Sequence, residues 1–254
     1  EVVSIGIRIN PDFTFSGDGG KASKFGIDEK QALAFAEKNP CSNIKITGIH
    51  VHVKSQELNA ATLAAYYERM FQLAEKFMRI SGPLEYINLG SGMGIPYAMS
   101  DAPLDIPMLS GAVQNRFDEF RAAHPSTKIL IEVGRYAVCK SGLYVTKVMD
   151  KKTSHGTTYL ILKNTLNGFI RPSLAKLVEH YAVEETPASS EPLFTARDAF
   201  QFLTLKDEAP SETVTLVGNL CTATDVIAEN IPMPHLECGD TVIITNAGGY
   251  AAVL

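Results

Sequence analysis

The sequence predicts an α/β fold that gives way to a β-rich region, and three observations carry that prediction. Strand-like apolar runs alternate with amphipathic helical runs as far as about residue 141. Beyond Gly142, β-type runs continue while helix-length periodicity fades. The 254 residues are 45% apolar, enough for a substantial core. The boundaries that follow are 1–141 for the α/β part and 142–254 for the β-rich part.

Val3 to Ile9 reads as a strand stopped by Asn10-Pro11. Asp12 to Ile27 is loop, with turn chemistry at Ser16-Gly17-Asp18-Gly19-Gly20. Asp28 reads as a cap, and Gln31 to Lys38 as helix. Lys45 to Val53 is a second strand. A long amphipathic helix follows, with Leu63, Tyr67, Met70, Ala74 and Phe77 at helical spacing, ended by Gly82-Pro83. Tyr86 to Leu89 is a third strand. Leu109 to Ala123 is helical, with Val113, Phe117 and Phe120 on one face, and Pro125 stops it. Lys128 to Val133 is a fourth strand. Alternation of this kind argues for parallel strands joined by crossover helices. Leu143 to Val148, Thr157 to Leu162, Thr213 to Val217 and Thr241 to Thr245 are the later β-type runs. Val183 to Glu191 is acidic and reads as an exposed connection.

The net charge of −5 and the absence of a basic cluster argue against nucleic acid as a partner. Membrane-length apolar runs and signal-peptide patterns are absent from the sequence. Cys41, Cys139, Cys221 and Cys238 have neither zinc-ribbon nor disulfide-framework spacing, which points to reduced thiols and the cytoplasm. The chain opens without Met inside a strand pattern and closes on apolar Ala251-Ala252-Val253-Leu254, so it reads as a fragment of something longer.

Chemistry collects at the C-terminal ends of three consecutive strands, where α/β folds place their sites. The second strand ends in Gly48-Ile49-His50-Val51-His52-Val53-Lys54-Ser55, with both histidines on one face. The third runs into Gly90-Ser91-Gly92-Met93-Gly94, whose missing side chains would let backbone N–H groups converge on an anion such as phosphate. A plain tight turn is the other reading of that loop. The spacing is not the dinucleotide fingerprint. The fourth strand ends in Glu132-Val133-Gly134-Arg135. His-x-His could ligate a metal, but no carboxylate or third His follows at ligand spacing, so a metal is not expected.

Eight motifs in order carry a resemblance. They are Arg8-Ile9-Asn10-Pro11, Lys24-Phe25-Gly26-Ile27, Gly48-Ile49-His50-Val51-His52, Leu89 through Tyr97, Glu132-Val133-Gly134-Arg135, Ile170-Arg171-Pro172, Val217-Gly218-Asn219-Leu220-Cys221, and Asn246-Ala247-Gly248-Gly249-Tyr250. With them the chain resembles the fold-type III pyridoxal-phosphate decarboxylases that act on diaminopimelate, ornithine and arginine, and within that group the diaminopimelate decarboxylases. The resemblance implies the last four strands of an alanine-racemase-like (β/α)8 barrel, then a β-domain, in a homodimer with shared active sites. The family's Schiff-base lysine lies on an early barrel strand outside the sequence in hand.

The resemblance also implies roles. His52 would stack on the pyridine ring, and Glu132 would bind the pyridine nitrogen and keep it protonated. Ser55, the amides of Gly90, Ser91, Gly92 and Gly94, together with Gly134, Arg135 and Tyr250, would hold the cofactor and its phosphate. Arg171, with Arg135, would meet the amino-acid substrate. Cys221, reaching over from the other subunit, would return a proton to the carbon that has lost CO2. Lys54 stands where the family has glycine and reads as a surface lysine. The position after Cys221, an acidic residue in the family that binds a distal amine, is Thr222, and the tyrosine after Arg-Pro-x-Leu is Ala175. Ser91 replaces a glycine. These departures predict a substrate without a free distal ammonium: a modified, conjugated or carrier-linked amino acid. Two other classes are open. A racemase of the same barrel would need a catalytic tyrosine in the β-domain. An inactive, partner-binding homologue would show losses at Glu132, Arg135, Cys221 or Tyr250, and all four are present.

Overall fold

The computed structural model describes residues 1–163, 166–181 and 199–252. The acidic connection at Val183 to Glu191 lies outside the described residues, as do Val253 and Leu254. The described chain forms two compact units: residues 1–95 with 102–133, and residues 96–101 with 134–254. Pro96–Asp101 and the chain from Gly134 onward belong with the second unit. One reason is local: Gly134–Val138 and Cys139 pack on the 246–249 segment, with Gly248 N donating to Cys139 O at 2.9 Å.

The first unit contains β1 (Val3–Asn10), β2 (Phe13–Thr14), β3 (Gly17–Asp18), β4 (Ile27–Asp28), α1 (Glu29–Lys38), β5 (Ile44–His50), α2 (Ala60–Ser81), β6 (Tyr86–Ser91), α3 (Ile106–Ala123) and β7 (Lys128–Glu132). A five-stranded parallel sheet runs in the order β4-β1-β5-β6-β7. Within it, β1, β5, β6 and β7 neighbour one another in chain order. The expected loop at 12–27 holds the small β2–β3 hairpin and the edge strand β4. β5 stops at His50, earlier than the alternation suggested, because the chain beyond it turns to follow the glycine loop.

Two caps explain helix starts that periodicity alone does not locate. Asn59 accepts from Thr62 N at 2.9 Å to open α2, and Asp105 accepts from Met108 N at 2.9 Å to open α3. Asp28 precedes α1 as expected, but its carboxylate accepts from Asn10 Nδ2 at 2.9 Å instead of capping the helix. Gly82, at φ +82°, ends α2. The apolar stripe of α2 is buried as read: Leu63, Met70, Ala74 and Phe77 are fully buried, with Tyr66, Tyr67 and Phe71 beside them. Phe71 meets Phe117 and Phe120 of α3 at ring distances of 4.9 and 4.8 Å.

The second unit holds α4 (Gly134–Val138), β8 (Tyr144–Ser154), β9 (Thr157–Leu162), α5 (Ile170–Tyr181), β10 (Phe202–Thr204), β11 (Glu212–Val217), β12 (Val226–Met233) and β13 (Thr241–Ile244). Its six-stranded sheet is ordered β10-β13-β8-β9-β11-β12 and is antiparallel except for β9 against β11. The β-rich character is as expected, and the structure adds α5, a twelve-residue helix that the sequence pattern did not mark. Pro172 near its start masked it, although proline suits the first turn of a helix.

Candidate active site

In the first unit, strand register sets the site. Arg8, His50, Asn88 and Leu130 lie side by side across β1, β5, β6 and β7. One residue pair further along, β7 ends at Glu132 beside Ser91. The Glu132 carboxylate is therefore surrounded by polar groups from the two neighbouring strands. Its Oε1 accepts from Asn88 Nδ2 at 2.9 Å and lies 3.3 Å from His50 Nε2. Its Oε2 lies 4.0 Å from His52 Nδ1. The other ring nitrogen of His52, Nε2, is 3.3 Å from Ser55 Oγ. Glu132 is about half exposed at its side chain, so the carboxylate is held from one side and open to a ligand on another.

The glycine loop serves first to let two segments approach. Gly90 sits at φ +64°, and a Cβ there would run into Val51 O and come within 2.9 Å of His52 Nδ1. Gly92, at φ +72°, would meet Lys54 O at 2.5 Å and the Phe15 ring at 2.7 Å. The loop is stitched to the 56–57 segment: Glu57 N donates to Gly92 O at 2.8 Å and Gly94 N to Glu57 O at 2.9 Å. Gly90 N donates to Asn88 Oδ1 at 3.0 Å, and Met93 N to Ser91 Oγ at 3.2 Å. Three of the loop amides are thus engaged within the protein, and Ser91 Oγ itself donates to Glu132 O at 2.8 Å. Ser91 is thus a strut between the loop and β7.

Two residues of this cluster were not among the expected site residues. Asn88 fixes Glu132 and the start of the loop together. Tyr66, only 1% exposed, points its hydroxyl between Leu89 O at 2.7 Å and Val51 O at 3.3 Å, pinning the ends of β5 and β6 from beneath. Burial pushes its phenol well above the usual range, so it stays a neutral donor. Asn88 carries no signal beyond lying in the strand before the glycines, and Tyr66 is indistinguishable in sequence from the core stripe of α2. Lys54 pairs with Glu57 at 3.2 Å, in keeping with a surface role.

Burial lowers the pKa of His50 against the opposing pull of Glu132. The neutral imidazole is favoured by folding, so its stabilising contribution is present above the ordinary histidine pKa of 6.5 and is lost as pH falls below it. Denaturant titrations at pH 7.5 and pH 5.5 are expected to show a smaller stability loss on acidification for His50→Gln than for the unaltered protein.

In the second unit, Arg135 is 5% exposed in α4. Its Nη1 donates to Tyr97 Oη at 3.3 Å, and its guanidinium lies 4.6 Å from the Tyr250 ring centroid. Gly134 opens the same short helix. Tyr97 is raised to about 12 by burial and by its contact with Cys139, whose Sγ is 3.2 Å from the phenol oxygen. Tyr250 adopts φ +56°, an uncommon conformation for a bulky residue. The carbonyl of Tyr250 accepts from Arg171 Nε, while Arg171 N donates to Ala251 O at 3.3 Å. Arg171 is 3% exposed. Cys221 and Thr222 lie exposed on the loop between β11 and β12, and the Thr222 hydroxyl is 2.9 Å from that of Thr224. Thr222 borders a cavity of about 620 Å³ that Ser154, Thr157, Tyr159 and Thr215 also line.

A parallel sheet that gathers a carboxylate, two imidazoles and a glycine loop at its strand tips, followed by a β-sheet unit, defines a cofactor-binding α/β protein. Residues 2–139 match the family model described as "Pyridoxal-dependent decarboxylase, pyridoxal binding domain", and the chain belongs to that family. The cofactor of the family is pyridoxal 5'-phosphate, and its decarboxylases are lyases. The chemistry of the residues present suits that group: the Glu132 side chain is about half exposed, with the ring nitrogens of His50 and His52 at 3.3 and 4.0 Å from its oxygens.

Among similar proteins, the L-glutamyl-(BtrI acyl-carrier protein) decarboxylase of Niallia circulans is 29% identical over 97% of this chain and 56% of its own length. The diaminopimelate decarboxylase of Methanothermobacter thermautotrophicus is 27% identical over 92% of this chain and 50% of its own. The crystal structure of diaminopimelate decarboxylase from Helicobacter pylori complexed with L-lysine matches the fold with a TM-score of 0.72 at 24% identity, over 99% of this chain and 58% of that one. The chain spans about half the length of the curated relatives it matches. Among the described residues, no helix is long and apolar enough to cross a membrane.

Proposed function

We propose that this chain supplies cofactor-binding and proton-handling residues of an amino-acid decarboxylase whose substrate carries no free ammonium at its distal end. The observation that carries the reading is Glu132, held by Asn88 and flanked by His50 and His52 at the tips of adjacent parallel strands. When bound, pyridoxal phosphate supplies an electron sink for the bond to CO2. The chain's own residues make that sink effective. Glu132 would hold a proton on the ring nitrogen, His52 would stack on the ring, and Ser55, whose Oγ lies 3.3 Å from His52 Nε2, would help hold the phosphate. Gly90, Ser91, Gly92, Gly94, Gly134, Arg135 and Tyr250 are proposed to surround the cofactor and its phosphate. Arg171 is proposed to orient a substrate carboxylate and Cys221 to hold the proton returned to the reacting carbon. The finer architecture belongs to the same reading: the parallel sheet as the later half of a (β/α)8 barrel, a cytoplasmic homodimer, and Cys221 delivered across its interface.

Substrate choice rests on Thr222. The Niallia circulans relative is named for a carrier-linked glutamyl group, and a hydroxyl in place of an acidic side chain suits a neutral distal end. The test is CO2 release by the full-length protein from a carrier-linked amino acid and from free meso-diaminopimelate. Efficient turnover of free diaminopimelate would remove the substrate reading. Thr222→Glu is expected to raise kcat/KM for a substrate with a free distal ammonium about tenfold, the size of one charge-assisted hydrogen bond. An unchanged ratio of the two substrates would count against Thr222 as the selecting residue.

A further inference from the structure

Asp225 is buried to 2% exposure in the loop that carries Cys221 and Thr222, and nothing in the proposed chemistry uses it. Its Oδ1 accepts from Leu166 N at 2.8 Å and its Oδ2 from Leu220 N at 3.0 Å. Its own amide donates to Thr222 O at 3.2 Å, and its carbonyl accepts from Gly218 N at 2.9 Å. A Cβ at Gly218 would run directly into the carboxylate. A second tie lies close by, where Ser173 Oγ of α5 donates to Val226 O at 3.2 Å.

A carboxylate out of water is tolerated only while its oxygens are satisfied. Here the satisfying groups are main-chain amides from two separate segments. One leads into α5 and Arg171; the other is the loop itself. Keeping the carboxylate satisfied therefore keeps these segments in a single register. Cys221 and Thr222 stay exposed at the loop tip, and Asp225 reaches them only through the backbone.

We propose that Asp225 is a positioning residue that sets the Cys221–Thr222 loop against the segment entering α5, and so places the proton-returning and distal-end residues. The catalytic consequence rests on the decarboxylase reading; the positioning itself does not. In Asp225→Asn, one amide donor would face another, and one of the two tethers would open with little change in volume. In Gly218→Ala, a methyl group would press directly on the same carboxylate.

Both variants of the full-length protein are to be compared by amide hydrogen exchange, cofactor affinity and steady-state kinetics. The expected result is exchange at least tenfold faster at 218–225 and at Leu166, with the strands β8, β9 and β13 unchanged. Alongside it, kcat falls at least tenfold while the dissociation constant for pyridoxal phosphate changes less than twofold. Unchanged exchange at 218–225 would overturn the proposal. So would exchange accelerated equally over the whole β-sheet unit, which marks a merely structural carboxylate. If Asp225→Asn fails to fold, Gly218→Ala decides between these outcomes. Absence of cofactor binding by the unaltered protein would overturn the decarboxylase reading alone, because the exchange comparison does not depend on it.

Discussion

Replacing Glu132 by Ala in the full-length protein is expected to lower the decarboxylation rate about 10²- to 10³-fold, the cost of deleting one preorganised charge from a reacting site. The carboxylate is held by side chains of the chain itself. Asn88 donates to one oxygen at 2.9 Å, and His50 and His52 stand at 3.3 and 4.0 Å. Truncation would also leave the Asn88 amide without that acceptor. Glu132→Gln separates the two effects, because it keeps an oxygen for Asn88 but cannot hold a proton on a ring nitrogen. Cofactor affinity, read from absorbance titration, is expected to fall less in Glu132→Gln than in Glu132→Ala. The rate is expected to fall comparably in both. Full activity in Glu132→Gln would show that the carboxylate's charge is not what the reaction needs.

Gly90→Ala is expected to destabilise the first unit by about 2–4 kcal/mol, combining left-handed backbone strain with overpacking. The position lies at φ +64°, and the added carbon would press on Val51 O and on the His52 ring. Since Val51 O is also an acceptor for Tyr66, relief of the clash must move the end of β5, and His52 with it. Urea denaturation measures the first effect, and cofactor titration at a pH where the variant is folded measures the second. Gly111→Ala is the comparison: it lies in α3 with open space around it and is expected to stabilise by about 0.5–1 kcal/mol. Equal stability of the two variants would refute the close-approach account of the glycine loop.

Much of this was legible in sequence because it depends on local chemistry. Alternation of strand and helix patterns, the core stripe of α2, and a polar residue at each of three strand ends are all short-range signals. α5 was missed because its start carries a proline and its length is short. The role of the glycine loop was only half legible. Three glycines announce that side chains are unwelcome, but they do not say whether the space is taken by an anion or by the protein. The structure fills part of it with the 51–57 segment.

Taken alone, the residues determined that a parallel α/β layer precedes a β-sheet unit, and that His52, Glu132 and the glycine loop end neighbouring strands. Those are consequences of period and order along the chain. Tertiary structure decided which side chains meet. His50 joins Glu132 because β5, β6 and β7 pair in a particular register, Tyr66 supports them because α2 packs beneath, and Asp225 accepts main-chain amides from two separate segments. Periodicity along one segment shows which of its faces is buried, but the partners that face meets come from segments distant in sequence and are fixed only when the strands and helices pack.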